Sequence, residues 1–217
     1  MKNVYFVRHG ESVANATGIR LGESAQLTAL GEKQALLAAA RLKNLPLERI
    51  IASPFVRAHH TASIIAEHLE RKIDTVSLLF IERRNPSSML NRDSKDPEIE
   101  KVWDEIARNY DAKNWRHSDE ENFEDLCTRA IAALSFLEAL PEQHILVVTH
   151  GMFMKVLFAH VLLGKHMNGR IFWDKFVPIK TIANTGIVHL EHTENYHKTA
   201  MYWKVVSWND HAHLLGG

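Results

Sequence analysis

Two strand-like apolar runs in this chain are each followed, after one residue, by a histidine and a glycine. The first run, residues 3–7, leads into Arg8-His9, and the second, residues 145–148, leads through one threonine into His150. In a parallel α/β sheet, residues far apart in sequence meet at the carboxyl ends of the strands. The pattern therefore predicts that both histidines and Arg8 lie at one edge of such a sheet.

Helical patterns alternate with strand-like runs along most of the chain. Other strand candidates are residues 49–52, 76–81, 186–190 and 200–206, and helix candidates are residues 30–42 (capped by Thr28), a helix from Ser53-Pro54, residues 121–140 and residues 152–163. This alternation predicts an α/β fold with an open, mainly parallel sheet that is covered by helices on both faces.

The segment of residues 83–120 does not fit the alternation. It is polar, contains two prolines, and has one modest helical pattern at residues 99–106. We interpret it as an insertion that covers the site, and we predict that residues 1–217 form one domain.

Composition excludes several classes of protein. Lys plus Arg and Asp plus Glu are equal at 26 each, so no overall charge favours nucleic acid or a membrane surface. The single Cys127 cannot form an intramolecular disulfide, and the chain begins without a signal-peptide pattern. We therefore expect a soluble cytoplasmic protein that binds neither nucleic acid nor membrane.

Four strand candidates end in polar residues that could act together on a phosphate ester. Phosphoryl transfer without a metal needs a nucleophile, positive charge for the phosphate and an acid for the leaving group. Neutral His9 can attack phosphorus, while Arg8 and Arg57 can bind the phosphoryl oxygens bidentately. A protonated His150 can donate to the same group, and Glu82 is the candidate acid.

The ordered motifs of the chain resemble the histidine phosphatase superfamily, also called the phosphoglycerate mutase-like family. The motifs are Val7-Arg8-His9-Gly10-Glu11-Ser12 with Asn15, Leu27-Thr28-Ala29-Leu30-Gly31-Glu32, Ser53-Pro54-Phe55-Val56-Arg57-Ala58 and His150-Gly151. The resemblance implies a three-layer α/β/α sandwich and no metal or other cofactor.

The resemblance also implies roles for individual residues. It implies that His9 is the phospho-acceptor and that Glu82 is the proton donor. The phosphate-binding residues would be Arg8, Asn15, Arg57, His150 and Gly151.

The chain departs from the mutase branch of this family after Glu82, where Arg83-Arg84-Asn85 replaces the glycine-bearing segment that is typical of mutases. This difference favours a phosphatase that acts on a phosphorylated small molecule, with a phosphoprotein as a second option. A phosphoglycerate mutase and a non-catalytic binder of phosphorylated ligands remain alternatives. Arg83 or Arg84 could contact a second anionic group of the substrate, and both monomer and homodimer remain open.

Overall fold

Six strands form one sheet in the part of the chain that the structure, a computed structural model, describes, namely residues 1–195, 197 and 199–215. The strands are β1 (Lys2–Arg8), β2 (Arg49–Ala52), β3 (Thr75–Val76), β4 (His144–Thr149), β5 (Ile187–Glu194) and β6 (Met201–Asp210), in the order β3-β2-β4-β1-β5-β6 across the sheet. Strands β1 to β4 are mutually parallel, β5 is antiparallel to β1, and β6 is antiparallel to β5. The predicted mainly parallel sheet is confirmed.

Helices cover both faces of this sheet. They are α1 (Val13–Thr17), α2 (Ala29–Leu42), α3 (Val56–His68), α4 (Pro97–Asn109), α5 (Phe123–Ala139), α6 (Gly151–Leu163) and α7 (Gly169–Ile171). Side chains alternate along β1, so Val4 and Phe6 join an apolar cluster with α5 and α6, whereas Tyr5 and Val7 join one with α2 and α3. The molecule is therefore the three-layer α/β/α sandwich that the resemblance implied.

The central strands are apolar on both faces because helices cover both sides of them. Val4, Val7 and every residue from Ile145 to Val148 are fully buried. Such strands have continuous apolar sequences rather than alternating ones, which explains why β1 and β4 were recognisable from the sequence.

The predicted helix starts had different outcomes. Thr28 caps α2, because its hydroxyl accepts a hydrogen bond from the backbone N–H of Gly31. The prediction that Ser53 caps the next helix is wrong, since α3 begins at Val56. The Ser53 hydroxyl instead accepts from the N–H of Phe55 and contacts His150.

The predicted strand at residues 76–81 is mostly wrong. Only Thr75–Val76 pair with β2, and the chain then forms a 3-10 turn at Leu78–Phe80, which begins where the Ser77 hydroxyl accepts the N–H of Leu79. Phe80 and Ile81 are buried nevertheless. The end of the apolar run is therefore buried without pairing as a strand, and it still places Glu82 beside Arg8 and His9 at the cavity.

Residues 83–120, which we call the cap segment, contain a longer helix than the sequence predicted. Helix α4 starts after Asp96, whose carboxylate accepts the N–H of Glu98, and it buries Ile99 and Ile106 in the main apolar cluster. Backbone hydrogen bonds join the segment to the loop before α2, since Arg20 is paired with Asn91 and Arg92. The cap segment is thus packed on the body of the fold.

None of the helices in the described ranges combines the length and the apolar character needed to cross a lipid bilayer.

Candidate active site

Parallel pairing of β1 with β4 brings the two His-Gly segments together. Arg8 lies opposite Thr149 in the register, and the N–H of His9 donates to the carbonyl oxygen of Thr149. The imidazole rings of His9 and His150 consequently lie 5.1 Å apart between their centroids, tilted by 58°. Sheet topology thus joins residues that the sequence keeps far apart.

His9 is held in one protonation state by its hydrogen bonds. Its Nδ1 lies 2.7 Å from the carbonyl oxygen of Gly10, and because a carbonyl oxygen only accepts, Nδ1 carries the proton. Its Nε2 accepts a 3.1 Å hydrogen bond from the Nε–H of Arg57. Burial, followed by the charges of Arg57 and Arg8, lowers the pKa of His9 well below 6.5. The ring is therefore neutral, and the electron pair of Nε2 is directed at the Nε–H of Arg57.

The loop that follows His9 requires glycine. The Gly10 N–H donates to the hydroxyl of Thr61 on α3 over 3.0 Å, which ties the loop to the helix that carries Arg57. A Cβ at Gly10 would collide with the carbonyl oxygen of Gly31 at the start of α2. The first turn of α2 therefore packs closely against this loop.

Two guanidinium groups, those of Arg57 and Arg8, place positive charge near His9. Arg57 lies in the first turn of α3 and donates from Nη1 to the carbonyl oxygen of Gly22 over 2.7 Å. Arg8 donates from Nη1 to the carbonyl oxygen of Ile182, while its buried Nε has no hydrogen-bond partner. Burial lowers the pKa of both arginines, and the Glu82 charge opposes that shift. Both remain charged near neutral pH, so they favour an oxyanion.

His150 is completely buried and is held by Ser53. Its Nε2 lies 2.9 Å from the Ser53 hydroxyl oxygen, and its Nδ1 is buried without a hydrogen-bond partner. Burial, then the charge of Arg57, lowers the pKa of His150 well below 6.5. The lowered pKa favours the neutral imidazole, which still donates one N–H.

Glu82 contacts the N-terminus of α6, the helix that begins after His150. Its carboxylate accepts the N–H groups of Met152 and Phe153, over 3.1 and 3.0 Å, and that of Arg83 over 2.9 Å. His150 occupies the N-cap position of α6 but makes no side-chain cap bond. The Glu82 carboxylate therefore accepts hydrogen bonds from backbone N–H groups in the first turn of α6 that have no acceptor within the helix.

Asn15 lies at the exposed rim of the site. Its Oδ1 accepts from the backbone N–H of Ser12 and from the side chain of Asn184, each over 3.2 Å. The same amide nitrogen of Asn184 donates to the carbonyl oxygen of His9 over 3.1 Å. Asn184 and Ser53 are thus further contacts of the site, and the position of Ser53 at the end of a strand candidate already predicts that it lies at this edge of the sheet.

A cavity of about 610 Å³ opens beside His9. The residues predicted for the site that border it are Arg8, His9, Asn15, Arg57 and Glu82. His150 and Gly151 do not border it, although the Gly151 backbone packs against Arg8, with a Cβ there 3.3 Å from the Arg8 Nε. Within the described ranges, no group of three or more His, Cys, Asp or Glu side chains is arranged to hold a metal ion.

Comparisons with curated proteins give relatives that align with much or nearly all of the chain. The "Probable phosphoglycerate mutase GpmB" of Yersinia enterocolitica serotype O:8 is 32% identical over 217 residues, which cover 99% of this chain and 95% of that protein. The protein of the same name from Enterobacter sp. (strain 638) is 33% identical over 170 residues, which cover 75% of each.

Solved structures with the same fold include phosphatases. The phosphoserine phosphatase of Entamoeba histolytica, solved as a mutant with phosphoserine, superimposes with a TM-score of 0.75 at 21% identity and covers 99% of this chain and 100% of that one. A mycobacterial glucosyl-3-phosphoglycerate phosphatase gives a TM-score of 0.76 at 19% identity, with coverages of 98% and 99%.

The family match spans nearly the whole chain. The model of the histidine phosphatase superfamily (branch 1) matches residues 4–211, a range that includes both His-Gly segments, Arg57 and Glu82. The chain therefore belongs to the histidine phosphatase superfamily, branch 1.

Proposed function

We propose that this protein is a metal-independent phosphomonoester hydrolase that forms a phosphohistidine on His9. The observation that carries the proposal is the state of His9, whose Nδ1–H is bound to Gly10 and whose unprotonated Nε2 faces Arg57. An unprotonated imidazole nitrogen beside fixed positive charge suits attack on an anionic phosphorus centre. The cavity volume is in the range of sites for small molecules.

In the first step, the phosphoryl group of the substrate takes the place of His9 as the partner of Arg57. Nε2 of His9 forms a bond to phosphorus while the bond between phosphorus and the ester oxygen breaks. Arg8 and Arg57 neutralise the charge on the phosphoryl oxygens, and the unpartnered Nε of Arg8 and Nδ1 of His150 supply further hydrogen bonds. Asn15 adds a polar contact at the rim.

Glu82 is the group that we assign to proton transfer. In the first step its carboxylic acid protonates the leaving oxygen, and the resulting carboxylate accepts its bonds from Met152 and Phe153. In the second step the carboxylate takes a proton from water as the water oxygen bonds to phosphorus. The bond from phosphorus to His9 then breaks, which releases inorganic phosphate and restores both residues.

The test is hydrolysis of 4-nitrophenyl phosphate in excess chelator by the wild type and by His9→Ala. We expect turnover by the wild type and none by the variant. Replacement of the exposed His68 by alanine is the matched control and should leave turnover unchanged. Full activity of His9→Ala, or activity that chelator abolishes, would contradict the proposal.

A phosphoglycerate mutase is the second candidate, and the names of the curated relatives favour it. A mutase has to return the phosphoryl group from His9 to its substrate, whereas a hydrolase passes it to water. Bisphosphoglycerate-dependent interconversion of phosphoglycerates, measured beside phosphate release, distinguishes the two. Interconversion that is faster than phosphate release would favour the mutase.

A further inference from the structure

Two arginines on the wall of the reaction cavity share one indole ring. The guanidinium carbon of Arg20 lies 5.2 Å from the ring centroid of Trp103, and that of Arg83 lies 4.3 Å from it. Arg20 comes from the loop before α2, Arg83 follows Glu82, and Trp103 lies on α4 of the cap segment. Three distant parts of the chain therefore hold two positive charges at one place.

Among the residues that the structure describes, none gives the charge of Arg20 a counter-charge. Its Nε is buried without a hydrogen-bond partner, and no carboxylate of the described residues lies within ion-pair distance of it. Burial and the nearby charge of Arg83 both lower the pKa of Arg20. Two neighbouring cations, one of them half-buried and without a counter-charge, attract an anion electrostatically.

Arg83 is oriented but not neutralised. Its Nε and Nη2 donate to the amide oxygen of Asn85, over 3.2 and 3.0 Å, and that acceptor carries no charge. The nearby carboxylate of Glu82 is already bonded to three backbone N–H groups. The stacking on Trp103 and the bonds to Asn85 thus fix the plane of Arg83, and its side chain also lies close to the Tyr110 hydroxyl, which likewise carries no counter-charge.

Both arginines border the cavity that contains His9 and Arg57. They also border an adjoining cavity of about 460 Å³, together with Trp103 and Trp173. A molecule whose phosphoryl group is bound at His9 can therefore extend along this wall without leaving the cavity.

We propose that Arg20 and Arg83, stacked on Trp103, form a subsite for a second anionic group of the substrate. The proposal rests on the proposed phosphatase function and adds a substrate class to it: phosphomonoesters that carry a carboxylate or a second phosphate. Planar guanidinium groups bind both oxyanions through paired hydrogen bonds. The bound anion offsets the repulsion between the two positive charges.

Arg84 provides a matched control for the subsite. It carries the same charge next to Arg83 and borders the same cavity, but it is exposed and does not stack on Trp103. A general attraction of the rim for anions would depend on Arg84 as much as on Arg20, whereas a specific subsite would not.

The experiment measures binding of three ligands with one three-carbon skeleton to the His9→Ala protein, which cannot turn them over by the proposed route. The ligands are propyl phosphate, 3-phosphooxypropanoate and propane-1,3-diol bisphosphate, and their dissociation constants are measured by titration calorimetry. We expect 3-phosphooxypropanoate, propane-1,3-diol bisphosphate or both to bind at least about tenfold more tightly than propyl phosphate. The ligand that shows the preference identifies a carboxylate or a phosphate as the second group.

Substitution then assigns the preference to the arginines. Adding Arg20→Gln or Arg83→Gln should reduce the ratio of dissociation constants to near one, whereas adding Arg84→Gln should preserve it. Because the ratio compares ligands on one preparation, a partly unfolded variant does not alter it. No preference in the parent protein, a preference that survives both substitutions, or equal loss with Arg84→Gln would overturn the subsite.

Turnover of the same esters by the wild-type protein separates this proposal from the proposed function. Preferential binding without turnover would contradict the hydrolase and uphold the subsite. Turnover of all three esters without preferential binding would uphold the hydrolase and contradict the subsite.

Discussion

The Nε–H of Arg57 donates a 3.1 Å hydrogen bond to Nε2 of His9, the nitrogen to which we assign nucleophilic attack. Arg57 can make this contact because its Nη1 is anchored to the carbonyl oxygen of Gly22 and because α3 is bonded to the loop after His9 through Thr61. The guanidinium therefore binds the electron pair of Nε2 that bonds to phosphorus in the proposed mechanism.

Arg57→Lys should reduce kcat/KM for an aryl phosphate by about a hundredfold, because lysine lacks both the Nε–H and the planar fork. Steady-state kinetics of the variant test this expectation. Arg41→Lys, at an exposed position on α2, is the control and should retain wild-type kinetics. A loss of less than a few fold in Arg57→Lys would show that only the charge of Arg57 matters.

The free energy of unfolding should fall as the pH decreases below about 6.5. Burial lowers the pKa of His9 and His150 in the folded protein, so the unfolded chain takes up protons there that the folded chain does not. Each histidine contributes a slope of about 1.4 kcal/mol per pH unit until its lowered folded-state pKa is reached, and none above the unfolded value.

Chemical denaturation at several pH values between about 7 and 5 measures this slope. His150→Gln removes one of the two groups, so its slope should be smaller by the contribution of one histidine. An identical slope in the variant would mean that His150 is protonated in the folded protein.

Ser53→Ala should lower kcat/KM by about tenfold, since it removes the hydroxyl that orients His150. If the Ser53 hydroxyl donates to Nε2, neutral His150 carries its proton on Nδ1, which is the state that can donate to a phosphoryl oxygen. Nitrogen chemical shifts of labelled histidine should show this tautomer in the wild type and in Ser53→Thr, and a mixture in Ser53→Ala. A wild type with its proton on Nε2 would refute this role of Ser53.

Glu82→Gln should lower kcat/KM, which reports the first step, by about a hundredfold or more for an alkyl phosphate and much less for 4-nitrophenyl phosphate. A poor leaving group requires protonation, whereas nitrophenolate leaves without it. The ratio of the two rates does not depend on the folded fraction, which matters because Glu82 also caps α6. Equal losses on both substrates would assign Glu82 a positioning role only.

The parts of the fold that could be predicted from the sequence are those in which burial and local hydrogen bonds favour the same structure as the sequence pattern. Strands β1 and β4 are buried on both faces, and Thr28 caps α2 with its own hydroxyl. Local patterns are sufficient there. The prediction that Ser53 caps a helix was wrong because a tertiary contact determines its conformation: its hydroxyl bonds to His150, which is distant in the sequence.

The candidate site was predictable to the extent that topology determines it. Once β1 and β4 are parallel neighbours, Arg8, His9 and His150 have to converge. The contact between Asn184 and the carbonyl oxygen of His9 and the stacking of Arg20 on Trp103 depend on how irregular segments fold back. Neither hydrophobic periodicity nor motif spacing encodes those contacts.

The most direct test of the account is to trap the phosphoenzyme. Wild-type protein is mixed with radiolabelled 4-nitrophenyl phosphate, quenched rapidly in alkali, in which phosphohistidine survives, and digested for peptide mapping. We expect label on the peptide that contains His9, loss of this label in acid, and no label in His9→Ala. Turnover by the wild type with no label at His9, or with label on another residue, would contradict it.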